Sequence, residues 1–294
     1  MIKQTLFFTT PVSLSLRNCQ MVITQRESDE PTTRPIEDIG CVVLENQQIH
    51  ITLPLLNELV HNNVAVVLCD KCMMPSAMLM SLDANTTQAE TQKLQFAATE
   101  PMKKQVWRQI IEQKIDNQAR LLLKIGRQAD DIKTLSQNVK SGDSDNREGA
   151  AARIYWQRLF GFDFRRERDG PMPNAMLNYG YSILRAAVAR ALLGSGLMPS
   201  VGVFHRNRYN AFPLADDVME PYRPYVDEIV NEMLDDGLTQ LDKEAKARLL
   251  NVLTADVAMD NVTRPLLIAL TMTSASIAKY FAGETKRIAL PEFR

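Results

Sequence analysis

The amino-acid sequence predicts an α+β fold in which a small N-terminal β-sandwich-like domain precedes a larger all-α domain. Short runs of alternating or β-branched residues fill about the first 80 positions, and helical spacing of apolar residues dominates from about Met102 onward. The hydrophobic content of 45% and the charged content of 23% are those of an ordinary globular protein. We therefore place a β domain at residues 1–81, a linker or helix start at 82–101 and a helical domain at 102–294.

The strand predictions rest on short segments of the first domain. The segment SLSL around Leu14 alternates apolar with polar residues, QMVIT around Val22 is β-branched, and VAVVLC is typical of a buried strand. The segments GCVVLE and QIHIT flank the turn-like residues 46–48, which favours a hairpin. A short amphipathic helix, PLLNELVHN, has Pro54 near its first turn. Several short strands with turns between them are typical of a small sandwich or barrel.

The second domain consists of helical patterns. In VWRQIIEQKIDNQARLLLKIG the apolar residues recur at spacings of three, four and seven. Asp145 or Asn146 is the expected N-cap of the next helix, which puts Glu148 in its first turn. The segment NAMLNYGYSILRAAVARALLGSG predicts a long helix that ends at its glycines. Further helices are predicted within residues 216–236, 243–253 and 264–282.

The charge pattern is local rather than global. The net charge is −1, which does not support nucleic-acid binding by the whole surface. Residues 147–190, however, contain eight arginines and four acidic residues, whereas residues 214–244 contain ten acidic and two basic residues. Adjacent basic and acidic segments indicate a phosphate-binding surface beside a cation site. Two solvated helix faces that neutralise each other explain the same pattern.

Other features of the sequence exclude several classes of protein. No stretch approaches the ~18 apolar residues of a membrane span, and the N-terminal segment lacks the pattern of a signal peptide, so we expect a cytoplasmic protein without membrane contact. Cys69 and Cys72 form a C-x-x-C motif, but no second pair completes a zinc site, and we interpret them as structural thiols. The phosphate-binding and dinucleotide-binding glycine motifs are absent.

His205 is the histidine best placed for chemistry. It follows an apolar run that ends at Phe204 and precedes the basic loop 206–208, whereas His50 and His61 have no acidic neighbours in sequence. A buried segment that delivers a histidine to a basic loop is a plausible site entrance. We interpret His50 and His61 as structural or surface residues.

Acidic residues supply the other candidate ligands. Asp217 and Glu220 are three residues apart and would share one face of a helix, and Pro221 removes an amide donor directly after Glu220. Together with Glu148 and His205 they offer carboxylates and one imidazole, a donor set that suits Mg²⁺ or Mn²⁺. Spacing in sequence does not establish that these side chains meet.

Three blocks of the sequence resemble a known family. The blocks REGAAARIYW, PNAMLNYGYSILRAAVARAL and GVFHRNRYNAFPLADDVMEPYRP, all within residues 147–224, resemble the ordered motifs of the CRISPR-associated endonuclease and integrase that inserts new spacers, the first-numbered protein of that system. The phrase FPLADDVMEPYRP resembles the branch found with type II systems. The layout of a β domain before a helical catalytic domain is similar over the whole chain.

The resemblance implies a role for individual residues. The family's catalytic metal ligands, for Mg²⁺ or Mn²⁺, fall on Glu148, His205 and Glu220, and Asp217 matches a supporting acidic position. The positions at which the resemblance or the basic loop implies contacts with DNA are Arg206, Arg208, Asn178 and Tyr179.

The resemblance also implies partners and a reaction. It implies a homodimer, two of which clamp a dimer of a small adaptation subunit in a heterohexamer that holds double-stranded DNA, both the protospacer and the CRISPR repeat. The RNA-guided effector nuclease of type II systems is a further partner implied on this ground. The implied reaction is phosphodiester transesterification, in which short duplexes are inserted into the array. Two alternatives remain open: a stand-alone metal-dependent nuclease for branched DNA in repair, and a non-enzymatic, oligomeric DNA-binding scaffold.

Overall fold

The structure, a computed structural model, describes residues 3–25 and 30–294. The chain divides into two compact units, Met1–Thr86 and Thr87–Arg294. The first unit is built mainly of strands and the second mainly of helices, which confirms the predicted α+β class. Within the described ranges, no helix is both long enough and apolar enough to cross a membrane.

Among the residues that the structure describes, the first unit contains two four-stranded sheets and one α-helix. Its strands are β1 (Gln4–Phe8), β2 (Val12–Arg17), β3 (Gln20–Gln25), β4 (Thr32–Pro35), β5 (Ile39–Leu44), β6 (His50–Ile51), β7 (Ala65–Cys69) and β8 (Pro75–Leu79), and its helix is α1 (Leu53–His61). One sheet has the order β1-β5-β7-β8, in which the first three strands are parallel and β8 is antiparallel. The other has the order β4-β3-β2-β6.

An apolar core joins the two sheets and α1. Both sheets, the helix and the loops between them contribute buried side chains, and the core includes Val12, Leu14, Met21, Ile23, Ile39, Val42, Leu44, Leu55, Leu59 and Val66. Side chains from the inner faces of two sheets that interdigitate in this way are the defining feature of a sandwich. The sandwich-like character predicted from the short strands is therefore confirmed.

The predicted hairpin around residues 46–48 is wrong. β5 pairs in parallel with β1 and β7, whereas β6 pairs with β2 in the other sheet. The turn itself is present, because the Gln48 backbone N–H donates to Oδ1 of Asn46 at 2.8 Å. β5 is buried along its whole length, as is typical of a central parallel strand, and the turn carries the chain from one sheet to the other.

The second unit contains most of the helices. They are α2 (Gln88–Ala97), α3 (Glu100–Lys124), α4 (Asp130–Gln137), α5 (Arg147–Phe160), α6 (Asn174–Gly194), α7 (Pro213–Met219), α8 (Arg223–Asp235), α9 (Lys243–Leu250) and α10 (Leu266–Phe281). The long helices α3 and α6 organise the unit: α3 packs against α4, α5, α7 and α8, and α6 packs against α7, α8, α9 and α10. The stretch 82–101, predicted as a linker or helix start, contains α2.

The second unit is not purely helical, which corrects the all-α prediction. β9 (Asp256–Met259) and β10 (Val262–Pro265) form an antiparallel hairpin between α9 and α10. The two residues between the strands, Asp260 and Asn261, have φ angles of 47° and 64°. Positive φ at both central residues is the requirement of the tight turn that matches the twist of a hairpin, and Asp and Asn tolerate it.

Gly180 sets the distance between α6 and α8. A methyl group at this position would lie 2.4 Å from Cγ1 of Val226 on α8, much closer than van der Waals contact allows. The two helices therefore pack against each other at a point where only a glycine fits.

Candidate active site

Glu148 is placed by a fully hydrogen-bonded helix start. Asn146 is the N-cap of α5, as one of the two sequence alternatives predicted, and its side chain accepts from the Gly149 N–H at 3.1 Å. The Asp143 carboxylate accepts from the N–H groups of Arg147 at 2.8 Å and of Glu148 at 3.1 Å. Because these acceptors satisfy the first amides of the helix, the Glu148 side chain is available for a different contact.

That contact is with Lys114, a buried lysine on α3. Lys114 Nζ donates to Glu148 Oε1 at 2.5 Å and also lies 2.6 Å from Glu220 Oε2. The contact with Glu220 is close but does not have hydrogen-bond geometry, since Glu220 Oε2 is a buried oxygen without a hydrogen-bond partner. Two carboxylates from separate elements therefore surround one positive nitrogen.

Glu220 stays ionised although it is buried. It begins a 3₁₀ turn, Glu220–Tyr222, directly after α7, and its Oε1 lies 3.0 Å from Nε of Arg223. Burial alone raises the pKa of Glu220, but the positive charges of Arg223, Lys114 and His205 outweigh burial and hold that pKa at about 2. Burial likewise lowers the pKa of Lys114, yet Glu220 and Glu148 raise it above its ordinary value.

Asp217 organises the loop that carries His205. This fully buried carboxylate accepts three backbone N–H groups: those of Val203 at 2.7 Å and Phe204 at 3.1 Å on Oδ2, and that of His205 at 3.1 Å on Oδ1. Its Oδ1 also lies 2.6 Å from Nδ1 of the His205 ring. This hydrogen bond raises the pKa of His205 against the opposing effect of burial. The contact fixes the ring through Nδ1, so Nε2 is the nitrogen that can face a ligand.

The same loop is held by packing. The Phe204 ring stacks on Trp107 of α3 with centroids 4.1 Å apart and planes 3° apart, and Trp107 also meets the edge of the His205 ring. A methyl group on Gly202 would lie 3.0 Å from Oδ2 of Asp217, so this position needs a glycine for the backbone to approach the carboxylate. Both constraints fix the direction of the imidazole.

The residues predicted as metal ligands come together only in part. Glu148 and Glu220 contact the same ammonium nitrogen, and the charge of His205 acts on Glu220. In the part of the chain that the structure describes, no three His, Cys, Asp or Glu side chains form a ready metal-binding group. The donor set nevertheless fits a divalent cation, because two carboxylates already share one cation. In addition, the imidazole contacts the carboxylate of Asp217 through Nδ1, and histidines that bind metals usually have such a partner.

Asp217 and Glu220 do not act as one acidic face of a helix. α7 ends at Met219, so Glu220 belongs to the following 3₁₀ turn. Asp217 contacts the His205 loop, and Glu220 contacts Lys114 and Arg223. The two carboxylates therefore have separate partners, and Asp217 contacts His205 rather than Glu148 or Glu220.

The two arginines predicted to contact DNA lie on the surface. Arg206 is exposed and pairs with Glu100 at 2.5 Å. Arg208 is exposed as well, and its guanidinium lies 4.6 Å from the centroid of the Tyr209 ring. The contacts with DNA predicted for both side chains stay predictions.

Asn178 and Tyr179 have structural surroundings instead. Asn178 accepts from Arg166 at 2.7 Å and donates to the Arg168 carbonyl at 2.6 Å, which fixes the loop between α5 and α6. The Tyr179 ring is fully buried, with Nζ of Lys246 5.6 Å from its centroid. Tyr179 is therefore buried, whereas Asn178 is half-buried, and the contacts with DNA predicted for both stay predictions.

A cleft lined by arginines and aromatic rings lies along α5. We call it the arginine cleft, and its walls include Gly149, Arg153, Trp156, Phe164, Arg165 and Arg166. Trp156 packs at an angle against Phe164, with centroids 5.6 Å apart. Guanidinium groups beside aromatic faces are the combination that binds phosphates and stacks bases of single-stranded nucleic acid.

Three residues that support the site are not predicted from the sequence: Lys114, Trp107 and Asn117. All three lie on the buried face of α3, at the helical spacing of Ile110 and Ile111. The available signal was a lysine and an asparagine at apolar positions of a long amphipathic helix. Polar side chains at such positions are buried, and buried polar groups need partners.

Comparisons with known proteins agree with the motifs. Residues 6–262 match the family model described as CRISPR associated protein Cas1. The chain is 37% identical over 287 residues to the CRISPR-associated endonuclease Cas1 of Neisseria meningitidis serogroup C (strain 8013), covering 95% of this chain and 92% of that protein.

Solved structures share the fold. A casposase bound to integration product matches with a TM-score of 0.79 at 20% identity, covering 98% of this chain and 92% of the other. A chain of a Cas6-RT-Cas1–Cas2 complex matches with a TM-score of 0.73 at 21% identity, covering 97% of this chain but 35% of that longer chain. The family model and the identity to the Neisseria protein together show that the chain belongs to the family of CRISPR-associated Cas1 endonucleases.

Proposed function

We propose that this protein is a metal-dependent DNA endonuclease and integrase that inserts short DNA duplexes into a CRISPR array by phosphodiester transesterification. The observation that carries the proposal is the arrangement around Lys114: the carboxylates of Glu148 and Glu220 share one cation, and Asp217 holds the His205 ring nearby. A group of two carboxylates and one imidazole has the charge and the donor types of a site for Mg²⁺ or Mn²⁺.

Glu148, His205 and Glu220 would hold the metal ion. A bound divalent ion supplies Lewis-acid polarisation of a phosphoryl oxygen and a lowered pKa for the attacking hydroxyl or water. Glu220 is suited to this role because it remains ionised although it is buried. His205 is suited because Asp217 occupies Nδ1 and fixes the ring, which leaves Nε2 for the ligand contact.

The reaction exchanges one phosphodiester for another. The oxygen of a 3′ hydroxyl forms a bond to phosphorus and loses its proton, while the bond to the leaving 3′ oxygen breaks and that oxygen gains a proton. With water as the nucleophile, the same site hydrolyses the strand. The protein itself would orient these oxygens and stabilise the negative charge on the phosphate. Arg223, whose guanidinium contacts Glu220, is the residue that we assign to this charge stabilisation.

The arginine cleft supports a path for the DNA strand. Several of its walls, including Gly149 and Arg153, belong to α5, the helix that also carries the proposed ligand Glu148. Phosphate contacts from Arg153 and Arg165, together with stacking on Trp156, give affinity without reading base sequence. Affinity of this kind suits an enzyme that accepts spacers of many sequences.

The proposed assembly follows the family. A chain with the same fold occurs in a Cas6-RT-Cas1–Cas2 complex, and we propose that this protein acts as a homodimer with a small Cas2-type subunit in a heterohexamer. The substrates are then the protospacer duplex and the CRISPR repeat. Contact with the type II effector nuclease is part of the same proposal.

Strand transfer measured with purified protein tests this function. A short duplex and a repeat-bearing plasmid, with the small subunit and Mn²⁺, should give inserted product. Glu148→Gln, His205→Ala and Glu220→Gln should each lower the yield by about 10²-fold or more, the scale expected when a group that acts in the transition state is lost. Glu112→Gln is the matched control, because Glu112 pairs with Arg108 on the surface of α3. Full transfer by His205→Ala would contradict the proposal.

The same assay separates the two alternatives. A repair nuclease would cleave branched DNA whether or not the small subunit is present, and that subunit would not stimulate insertion. A non-enzymatic scaffold would bind DNA in a salt-sensitive manner, and calorimetry would detect no binding of a divalent ion.

A further inference from the structure

We propose that Lys114 is a resident counter-cation that holds Glu148 and Glu220 together before metal arrives and that the metal ion displaces. The inference rests on the proposed metal-dependent function and deepens it, because it assigns to the metal-free site a specific occupant. Lys114 would be a positioning residue that acts through the two carboxylates rather than on DNA.

The contacts of Lys114 are those of an ion in a coordination site. Its Nζ lies 2.5 Å from one carboxylate oxygen and 2.6 Å from another, and the two oxygens come from different elements of the fold. The contact with Glu220 is a close charge–charge contact without hydrogen-bond geometry. A divalent cation held by both carboxylates would require the same oxygens to converge on one position.

The surroundings explain why a cation is needed there. Glu220 is only 3% exposed and Lys114 only 7%, so neither charge is well solvated. Glu148 and Glu220 would repel each other without a positive charge between them. Arg223 faces Glu220 from the other oxygen, Oε1, and does not contact Glu148 through any hydrogen bond or ion pair that the described residues form. Lys114 therefore bridges the pair in a way that Arg223 does not.

The ammonium and a metal ion compete for the same oxygens. A divalent ion that binds both carboxylates must take the position of Nζ, since two cations cannot share those contacts without strong repulsion. Part of the intrinsic metal affinity is consequently used to remove Lys114. The lysine has a flexible four-carbon stem, so its charge can move without displacing α3.

Metal binding by Lys114→Met, measured by calorimetry without DNA, tests the exchange. The variant should bind Mn²⁺ about tenfold or more tightly than the wild-type protein, the scale on which neighbours of metal ligands alter affinity. Its metal-free form should unfold at a lower temperature, and Mn²⁺ should raise that temperature more than it does in the wild type. Lys124→Met is the matched control, since Lys124 lies on the same helix but pairs with Glu228.

A second measurement does not depend on the stability of the variant. In the wild-type protein with ¹³Cε-labelled lysine, Mg²⁺ should shift one resonance strongly, and Lys114→Arg should remove that resonance from the spectrum. Mn²⁺ binding by Lys114→Met that equals or falls below that of the wild type would overturn the inference and leave the proposed function standing. Absence of Mn²⁺ binding in both proteins, with His205→Ala also unchanged in strand transfer, would contradict the proposed function as well.

Discussion

His205 and Asp217 are joined twice, through the side chain and through the backbone. Asp217 Oδ1 lies 2.6 Å from the ring nitrogen Nδ1 and accepts the backbone N–H of the same histidine at 3.1 Å. The carboxylate thereby fixes both the position of the residue in its loop and the rotation of its ring. One buried side chain therefore contributes twice to the geometry of a proposed ligand.

Asp217→Asn should destabilise the protein and loosen the ring. In either orientation, the amide NH₂ would face backbone N–H groups that now donate hydrogen bonds to the carboxylate. An unsatisfied buried donor costs about 1–3 kcal/mol. Urea unfolding should report this loss, and Mn²⁺ titration should report weaker binding. Asp216→Asn is the control, because Asp216 is half-buried and pairs with Arg185. Equal stability of Asp217→Asn and the wild type would refute the assignment.

Asp227 should make stability depend on pH. It accepts hydrogen bonds from Tyr155 and Tyr181, and burial, only partly opposed by these bonds, raises its pKa from 3.8 to about 6. The folded protein therefore keeps this proton to higher pH than the unfolded chain. The contribution of Asp227 to the free energy of unfolding should be most favourable below about pH 4, fall between about pH 4 and 6, and stay constant above that range.

The neutral variant Asp227→Asn removes this dependence. Urea unfolding of both proteins between pH 4 and 7 should show that the variant gains stability relative to the wild type as pH rises to about 6. Parallel curves across this range would show that Asp227 does not hold a proton in the folded state.

Trp156 should contribute to DNA affinity through stacking. It lines the arginine cleft beside Arg153, and base–aromatic stacking contributes ~1–3 kcal/mol per base. Trp156→Ala should weaken binding of a short single-stranded oligonucleotide by about tenfold at fixed salt, as measured by fluorescence anisotropy. Phe162→Ala is the matched control, because Phe162 is an exposed aromatic residue that does not line this cleft. A similar loss in both variants would argue against a stacking site at Trp156.

Gly180→Ala should destabilise the packing of α6 on α8. The added methyl group would meet Val226 Cγ1 at 2.4 Å, and overpacking of this kind costs about 1–3 kcal/mol. Val226→Ala removes the obstructing methyl groups, so the double variant should lose less than the sum of the two single losses. Thermal or urea unfolding of the four proteins measures this coupling. Additive losses would show that the two positions do not interact and that a clash with Val226 does not explain the loss.

Local signals in the sequence predicted local structure well. Asn146 and Glu148 illustrate this, because an N-cap and the first turn of a helix are determined by neighbouring residues. The prediction of a hairpin around residues 46–48 is wrong, since a turn signal does not reveal which strand pairs with β5. The turn at Asp260 and Asn261 lies between two helical patterns and is too short to give a strand signal, although both residue types tolerate positive φ.

The site was less predictable than the fold for a physical reason. Motifs placed Glu148 and Glu220 in a common region, but Lys114 is 34 residues before Glu148 and no local pattern pairs them. A lysine within an amphipathic helix ordinarily extends to solvent, and only tertiary packing shows that this one is buried between two carboxylates. Tyr179 shows the converse, because its motif indicated a DNA contact and its ring is buried.

The buried amide of Asn117 has a practical consequence for the design of protein variants. Its Nδ2 donates to the Pro221 carbonyl at 2.8 Å and to the Pro291 carbonyl at 3.0 Å, and its Oδ1 accepts from the Phe293 N–H at 3.0 Å. Pro221 is the neighbour of Glu220, so one asparagine links the backbone beside the acidic centre to residues 291–293. Substitution of Asn117 would therefore release the backbone of Pro221 and residues 291–293 together, so a variant at this position would disturb the two regions at the same time.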